Sequence, residues 1–494
     1  MSGYSLEMKG RMFRSGVMFG VITIFTAGVS AASAQSYDPQ RTLGRVDGLS
    51  NLQQRTGDAV QAVCGAFIAN GVDMTRSDVA QQTILFDKCG EMVTTARVLT
   101  GEEGGTGGNL GINAEALGSA LQNVSVEEIA AAGSLATESA MGQSQVIGKR
   151  LATVLSQSST LQLSSANFRG DGSLLLASTV GGNAVSGGGA ASADDPVLAH
   201  PLGIYINALG AFAEKVTTEG EDGFEAATSG ISLGVDYLFS NNTLAGLNLA
   251  FSSTTTEFDL TDDVTGGDMN SDQTNVSAYG MWFNEVGYVD VLAGFGTGSY
   301  DFSRRILITS NPEISGNPDN DGLDDTVVAD TDSDSFRFGI GGGMELRAGA
   351  IGFSPYARLS YLSADLDGYE ERGGSALKMR VESQSIDSLT GGFGFRLSGT
   401  YSGTKAIVSP QFSAELVREF SDDSRQIVSS YVHDPRNNQL VIVTDRPDRS
   451  YYTMGMSVSA VFQSGFQLFA EVQSLLDLDS LNEFSVTTGF RIEL

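Results

Sequence analysis

The stretch Gly230-Ile231-Ser232-Leu233-Gly234-Val235-Asp236-Tyr237-Leu238-Phe239 decides the fold. Ile231, Leu233, Val235, Tyr237 and Phe239 alternate with Ser232, Gly234 and Asp236. A period of two puts the apolar side chains on one face of a strand and the polar ones on the other. The pattern returns further along. Ala406, Val408, Phe412, Ala414 and Leu416 alternate with Lys405, Ser409, Gln411 and Glu415; Phe484, Val486, Phe490, Ile492 and Leu494 alternate with Ser485, Thr487, Gly489, Arg491 and Glu493. The core of a water-soluble sandwich does not accept such charges unpaired. A transmembrane β-barrel does, because one face meets lipid and the other a hydrated lumen. From Pro201 to the C-terminus about twelve candidate strands follow this rule.

The connections between them alternate in length. Short ones are Ser240-Asn241-Asn242, Asn284-Glu285, Ala348-Gly349, Ser398 to Ser402 and Ser464-Gly465; long ones run from Glu214 to Thr228, Glu257 to Asp272, Ser303 to Ser335, Asp365 to Met379 and Ser421 to Ser450. Outer-membrane barrels have tight periplasmic turns and extended external loops, whereas a sandwich has no reason to keep loop length in phase with strand parity. Aromatic residues gather beside the short turns: Tyr237, Phe239, Trp282, Phe283, Tyr288, Phe353, Tyr401, Phe462 and Phe466. An interfacial girdle is expected there.

Composition agrees. The 61 Gly, 14 Tyr and 26 Phe, with only 9 Pro, suit many strands and tight turns. A mean hydropathy of -0.02 is what alternating strands average to. A formal charge of -30 excludes nucleic acid as a partner, since phosphates would be repelled. At the start, Lys9, Arg11 and Arg14 precede an apolar run from Val17 to Val29 and the small residues Ala32-Ser33-Ala34. Residues 1–34 thus read as a cleaved secretion signal, with Met8 as an alternative start and the mature chain beginning near Gln35. The apolar run is shorter than the roughly 20 residues of a spanning helix.

Between Leu43 and Leu155 the period is helical. Leu49, Leu52, Val60, Val63 and Phe67 form one stripe; Leu85, Cys89, Met92, Ala96 and Leu99 form another. Asn70-Gly71 supplies the turn between two facing helices, Ser77 an N-cap, and Ser125 with Glu128 a capping box before Ile129. The stripe Ile147, Leu151, Val154 and Leu155 closes the region. Cys64 and Cys89 lie on the facing stripes, and a structural disulfide between them is expected in an oxidising compartment. They are too few for a metal site, since the only histidines, His200 and His433, are distant. Gly101 to Gly108 and Gly181 to Ala193 read as flexible linkers.

Several stretches resemble the autotransporter β-domain family: Gly230-Ile-Ser-Leu-Gly-Val-Asp-Tyr237, Ser354-Pro-Tyr-Ala-Arg-Leu359, Ser385-Ile-Asp-Ser-Leu389 and the closing strand Phe484 to Leu494. The resemblance spans Pro201 to Leu494. The helical segment, with its paired cysteines and the helix end Lys149-Arg150-Leu151, is similar to the short N-terminal part of orphan members that lack a long repeat-rich passenger. The resemblance implies a twelve-stranded barrel whose pore is threaded by a segment joining it to an exported passenger. Two departures stand out. The chain ends on Leu494 where the family usually has an aromatic residue, and it has no evident pore-cleavage motif.

Catalytic chemistry finds little support. Gly170-Asp171-Gly172-Ser173-Leu174 departs from the GDSL esterase block by an extra glycine, and Gly-x-Ser-x-Gly is absent. His433-Asp434, near Asp422, Asp423 and Asp445, is the alternative of an omptin-type protease, in which a histidine and carboxylates activate water. Asn317, Asp319, Asp321, Gly322 and Asp325 follow D-x-D-x-D-G-x-x-D, the spacing of thrombospondin-type calcium repeats. Alternate oxygen ligands before a glycine turn can wrap a hard cation. The bland alternative is a solvated acidic loop.

The expectation is therefore a mainly β protein of four parts: a signal (1–34), a helical exported segment (35–160), a Gly/Ser/Ala-rich linker and pore-threading segment (161–200), and the outer-membrane barrel (201–494). It is not an enzyme and requires no cofactor, with calcium in an external loop as the exception to test. Asp236, Arg337, Glu345, Arg358, Arg396, Glu415, Glu471 and Arg491 should line the lumen. Phe484, Val486, Phe490, Ile492 and Leu494 should form the strand read by the barrel assembly machinery. The other expected partners are outer-membrane lipid and periplasmic chaperones, around a monomeric barrel in a Gram-negative outer membrane with its long loops outside. A closed adhesive barrel with periplasmic helices and a diffusion channel are the alternative readings.

Overall fold

The computed structural model describes residues 43–102, 108–126, 130, 202–218, 221–240, 242–258, 266–284, 286–316, 322–421, 423–446, 449–462, 465–476 and 481–494. The expected signal, the Ile147 to Leu155 stripe and the 161–200 linker lie outside the described residues. Twelve long strands follow one another: β1 (Leu202–Lys215), β2 (Phe224–Ser240), β3 (Thr243–Phe258), β4 (Asp268–Phe283), β5 (Gly287–Ile308), β6 (Leu323–Met344), β7 (Ile351–Leu366), β8 (Gln384–Gly399), β9 (Ala406–Glu419), β10 (Ser450–Phe462), β11 (Phe466–Leu476) and β12 (Leu481–Glu493). Each is antiparallel to the next, and β12 returns to β1 in continuous register from Gly203↔Glu493 to Lys215↔Leu481. The sheet is closed and has no free edge. Twelve strands about 4.8 Å apart and tilted by about 40° enclose a backbone cylinder roughly 24 Å across.

The wall is apolar outside and polar inside, the reverse of a soluble protein. On β2, Ile231, Leu233, Val235, Tyr237 and Phe239 are all exposed while Asp236 is 1% exposed. On β12, Phe484, Val486, Phe490 and Ile492 are exposed, and Ser485, Thr487 and Arg491 are buried. On β9, Leu416 is exposed and Glu415 buried, three positions from Phe412 and so on the opposite face. Such an outer surface is stable only against hydrocarbon. No helix among the described residues is long and apolar enough to cross a membrane, so the crossing is made by strands.

Five tight turns fall at one end, and the longer connections, 216–223, 259–267, 309–322, 367–383 and 420–449, fall at the other together with the short 477–480 connection. Three expectations need correction. The strands run further into the long connections than the sequence suggested, with β5 and β6 paired as far as Ile308↔Leu323. There the wall has left the bilayer and its polarity inverts: Ile306, Ile308, Val327 and Ala329 face inward, the first three into the cap core, while Arg305, Asp324, Asp330 and Asp332 face outward into water. The turn placed at Ser398 to Ser402 lies beyond it, closed by the Gly403 N–H to the Ala406 carbonyl. Phe283 and Tyr288 are buried on the lumen side, whereas Tyr237, Phe239, Trp282, Phe353 and Tyr401 are exposed on the outside.

Ahead of the barrel stand three helices, α1 (Asn51–Asn70), α2 (Val79–Thr100) and α3 (Ala114–Asn123). Ser50 and Gln53 form a capping box at the start of α1. Both stripes are buried except that Leu99 is exposed. Cys64 and Cys89 are bonded, with Cα atoms 5.1 Å apart, and tie α1 to α2. α2 begins after Asp78 and not at a Ser77 cap, and Ser125 donates back to the Gln122 carbonyl at the end of α3; Glu128 lies outside the described residues.

Phe412 in the outward row of β9 gives a direct check. Phe412→Arg should lower barrel stability by about 2 to 4 kcal/mol if it lies near the bilayer midplane. Urea unfolding in lipid vesicles measures it. An effect near zero would mean that this face does not meet hydrocarbon.

Candidate functional site: the lumen and the capped mouth

The expected lumen residues are gathered inside the wall by strand parity. Arg491 on β12 meets Asp236 on β2 across β1, Nη2 to Oδ1 at 2.9 Å, and the Tyr279 hydroxyl lies 3.3 Å from Asp236 Oδ2. On the opposite wall the Arg358 Nε donates to Glu415 Oε1 at 2.7 Å and the Tyr356 hydroxyl to Glu415 Oε2 at 2.8 Å. The Arg396 guanidinium lies 4.5 Å from the centroid of the Tyr356 ring, a cation–π contact. Glu345 accepts from the Ser354 hydroxyl at 2.7 Å, and Arg337 donates to Asn275. Glu471, opposite Ser457, is half-buried. The expected set is thus dispersed in small paired groups along the lumen and forms no single centre.

Sequence reasoning missed two sets of inward residues. Tyr205, Leu244, Tyr279, Met281, Phe283 and Tyr288 build an apolar patch on the β1–β5 wall, facing the Arg358 and Arg396 side. Parity carried the signal: Phe283 must oppose Trp282. Asn207, Asn248 and Asn275 are also buried there.

At the long-connection end the three helices share one hydrophobic core with the barrel. Val60, Phe67, Met92 and Leu121 of the helices pack in the same cluster as Phe224, Tyr300, Tyr431 and Ile442. Four short strands from the last two long connections, Tyr369–Glu370, Met379–Val381, Gln426–Tyr431 and Gln439–Val443, form a second sheet that joins this core.

Polar contacts stitch the cap in place. The Arg304 guanidinium on β5 is buried; it holds Glu371 with two bonds of 2.7 and 2.9 Å and donates to the carbonyls of Asn123 and Ser125 at the end of α3. That α-helix terminus otherwise leaves carbonyls unpaired. The Tyr431 hydroxyl lies 3.3 Å from the Val124 carbonyl, and Arg436 donates to the carbonyls of Asn70 and Gly71 at the end of α1. Gly111, at φ +69°, sits so close to the 309–322 connection that a Cβ there would come within 2.3 Å of the Asn311 carbonyl oxygen.

His433, the candidate protease histidine, has its Nδ1 2.9 Å from Asp78 Oδ2 at the start of α2. Asp434 accepts from Arg436 and Asn438 within its own turn. The pair is used to join loop to cap. Of the calcium sequence, Asn317, Asp319 and Asp321 lie outside the described residues, and Asp325 stands on β6 opposite Ile306. Among the described residues no group of three or more His, Cys, Asp or Glu is placed to hold a metal.

The family model "Autotransporter beta-domain" matches residues 204–473, more than half of the chain. The chain belongs to the autotransporter β-domain family. It carries a translocator barrel fold of the bacterial outer membrane. Among solved structures, the translocator domain of the autotransporter NalP from Neisseria meningitidis is similar at 17% identity and a TM-score of 0.46, covering 60% of this chain and 89% of that one. The β-domain of the Bordetella autotransporter BrkA is similar at 16% identity and a TM-score of 0.41, covering 60% and 100%. The transport unit of AIDA-I from Escherichia coli stands at 10% identity and a TM-score of 0.41, covering 59% and 90%. The search of curated proteins returned no match.

Two predictions follow from the stitched mouth of this autotransporter barrel. Arg304→Leu leaves the Glu371 charge buried and unpaired, and should destabilise the capped end by about 3 to 5 kcal/mol. Limited proteolysis should then cut the 367–383 and 420–449 connections while the strands stay intact. The second concerns pH. Hydrogen bonding from Arg76, outweighing partial burial, with help from His433 and Gln82, holds the Asp78 carboxyl far below the usual carboxylate range. A carboxyl with a lowered folded pKa stabilises above its unfolded value of about 3.9 and loses that contribution as pH falls below it. The capped end should therefore lose stability as pH falls below about 4. Asp78→Asn should flatten that acid limb, read as the thermal midpoint of cap release.

Proposed function

We propose that this autotransporter barrel delivers its own N-terminal helical segment across the outer membrane and retains it as a cap, with the long connections outside the cell. One observation carries the reading: the two ends of the 131–201 connection meet the barrel at opposite rims. The Ala130 carbonyl accepts from Arg425 in the 420–449 connection. Leu202 accepts from the Leu494 N–H at the short-turn rim. An even number of strands returns both barrel termini to one side, by analogy the periplasmic one. A chain that joins the two rims then has to pass through the lumen. The span of about 25 to 30 Å needs 8 to 10 extended residues or 17 to 20 helical ones, as estimated from strand and helix rise.

The shared core supports retention over release, since helices and connections each bury apolar surface that neither could cover alone. The paired charges of the lumen suit a passage that must stay hydrated for a polar chain. In this reading the closing strand Phe484 to Leu494 addresses the assembly machinery, chaperones hold the chain in the periplasm, and the barrel works as a monomer.

Protease shaving of intact cells tests it, with epitopes placed near Gly101 and near Asp324. Cleavage at both sites is expected. Cleavage near Asp324 alone would leave the helices in the periplasm and overturn the proposal.

A further inference from the structure

Among the described residues, the outward rows of the twelve strands carry two cations, Arg305 on β5 and Arg418 on β9. Arg305 is neutralised by Asp324, Nη2 to Oδ2 at 2.6 Å. Arg418 has no carboxylate within ion-pair distance among the described residues; its Nη1 donates to the hydroxyl of Ser450, directly across on β10, at 3.4 Å. Its charge faces out of the wall.

Elsewhere the outward charges are carboxylates on the rim side of the apolar belt, with Glu214 after Phe212, Asp334 beyond Phe336 and Asp387 beyond Leu389. Arg418 has different neighbours. Outward Leu416 lies on its bilayer side and Phe420 on its rim side, 42% and 53% exposed. The Phe420 ring folds back along the wall over Gly391, the residue opposite Arg418 on β8, where a Cβ would lie 2.9 Å from the ring. Tyr452, the outward partner of Leu416, adds a second exposed aromatic ring. The guanidinium thus stands at the rim edge of the belt, among apolar side chains.

We propose that Arg418 and Ser450 hold a phosphate of the outer-leaflet glycolipid, lipopolysaccharide; the inference rests on the reading above that the long connections lie outside the cell. A cation on the lipid face is costly unless its long side chain reaches the head groups. There it needs an anion. The guanidinium fork matches two oxygens of one phosphate, and the Ser450 hydroxyl is free to donate to a third. Arg449, whose carbonyl accepts from the Glu419 N–H, brings a second exposed cationic residue to the same rim. Depth excludes a soluble anion, because the apolar side chains around Arg418 are covered by acyl chains. Charge selects the sector. With Glu214, Asp334 and Asp387 on the remaining rim of a chain of net charge -30, phosphate is repelled elsewhere and held at β9 and β10.

Native mass spectrometry of the full chain released from lipid nanodiscs tests the site. The nanodiscs are phosphatidylcholine carrying, in separate arms, bisphosphorylated lipid A, its dephosphorylated form or phosphatidylglycerol. Wild type should retain phosphorylated lipid A about fivefold more than Arg418→Gln does, and the two should retain the dephosphorylated form alike. Arg418→Lys keeps the charge without the fork and should fall between them. Equal retention of phosphorylated lipid A by wild type and Arg418→Gln would overturn the site. Arg418-dependent retention of phosphatidylglycerol in preference to lipid A would overturn the assignment to the glycolipid. Should Arg418→Gln fail to insert, Ser450→Ala removes only the hydroxyl and should lower retention about twofold. The orientation is read separately in intact cells: an epitope near Asp324 that protease cannot reach would sink the outward reading, and the choice of leaflet with it, while the phosphate contact in nanodiscs would stand.

Discussion

Hydrocarbon offers no hydrogen-bonding partner, so every backbone amide and carbonyl of this chain that crosses the membrane must find one within the sheet. Closure of β12 on β1 satisfies that requirement, and much else follows from it. A closed antiparallel ring of twelve strands fixes parity. Ile231 and Phe490 must then face lipid, and Asp236 and Arg491 must meet inside. The ring also leaves a lumen of roughly 24 Å between backbones, too wide for its own side chains to fill completely. The protein covers one mouth with three helices held by a disulfide and a shared core.

The cap is bound by two kinds of force with different roles. Burial of Phe67, Met92, Leu121, Tyr300 and Tyr431 supplies the main attraction and is not directional. Arg304, Tyr431 and Arg436 instead satisfy the carbonyls at two helix ends, which fixes where those ends sit. Placing the polar contacts at helix termini meets an obligation that a buried helix end has anyway. The barrel therefore contributes more than a wall. Its long connections share one hydrophobic core with the helices.

The barrel was legible in the sequence because a period of two with charges on one face has few other physical solutions. Glu415 and Phe412, three residues apart, announce opposite faces before any coordinate is known. The reading failed where its signal ended. Above the bilayer Asp268 to Asp272 and Asp324 to Asp334 turn mostly polar on the outside, with only Met269, Val327 and Ala329 as apolar inward residues, so the acidic stretch resembles a loop although pairing continues. The helix Ala114–Asn123 has only Leu117 and Leu121 for a stripe and was missed. Arg304 and Glu371 lie 67 residues apart with no motif between them, so only the pairing of β5 with β6, and the bridge from Val328 on β6 to Arg372, bring them together.

The helical segment sits on the long-connection rim of its own barrel. Replacing Asp78 and His433, whose side chains touch at 2.9 Å, by cysteines tests it in place. Outer membranes bearing Asp78→Cys/His433→Cys should yield a reduction-sensitive cross-link between cap and barrel under mild oxidation. Free thiols at both positions, in a barrel that still resists unfolding in detergent, would contradict the account.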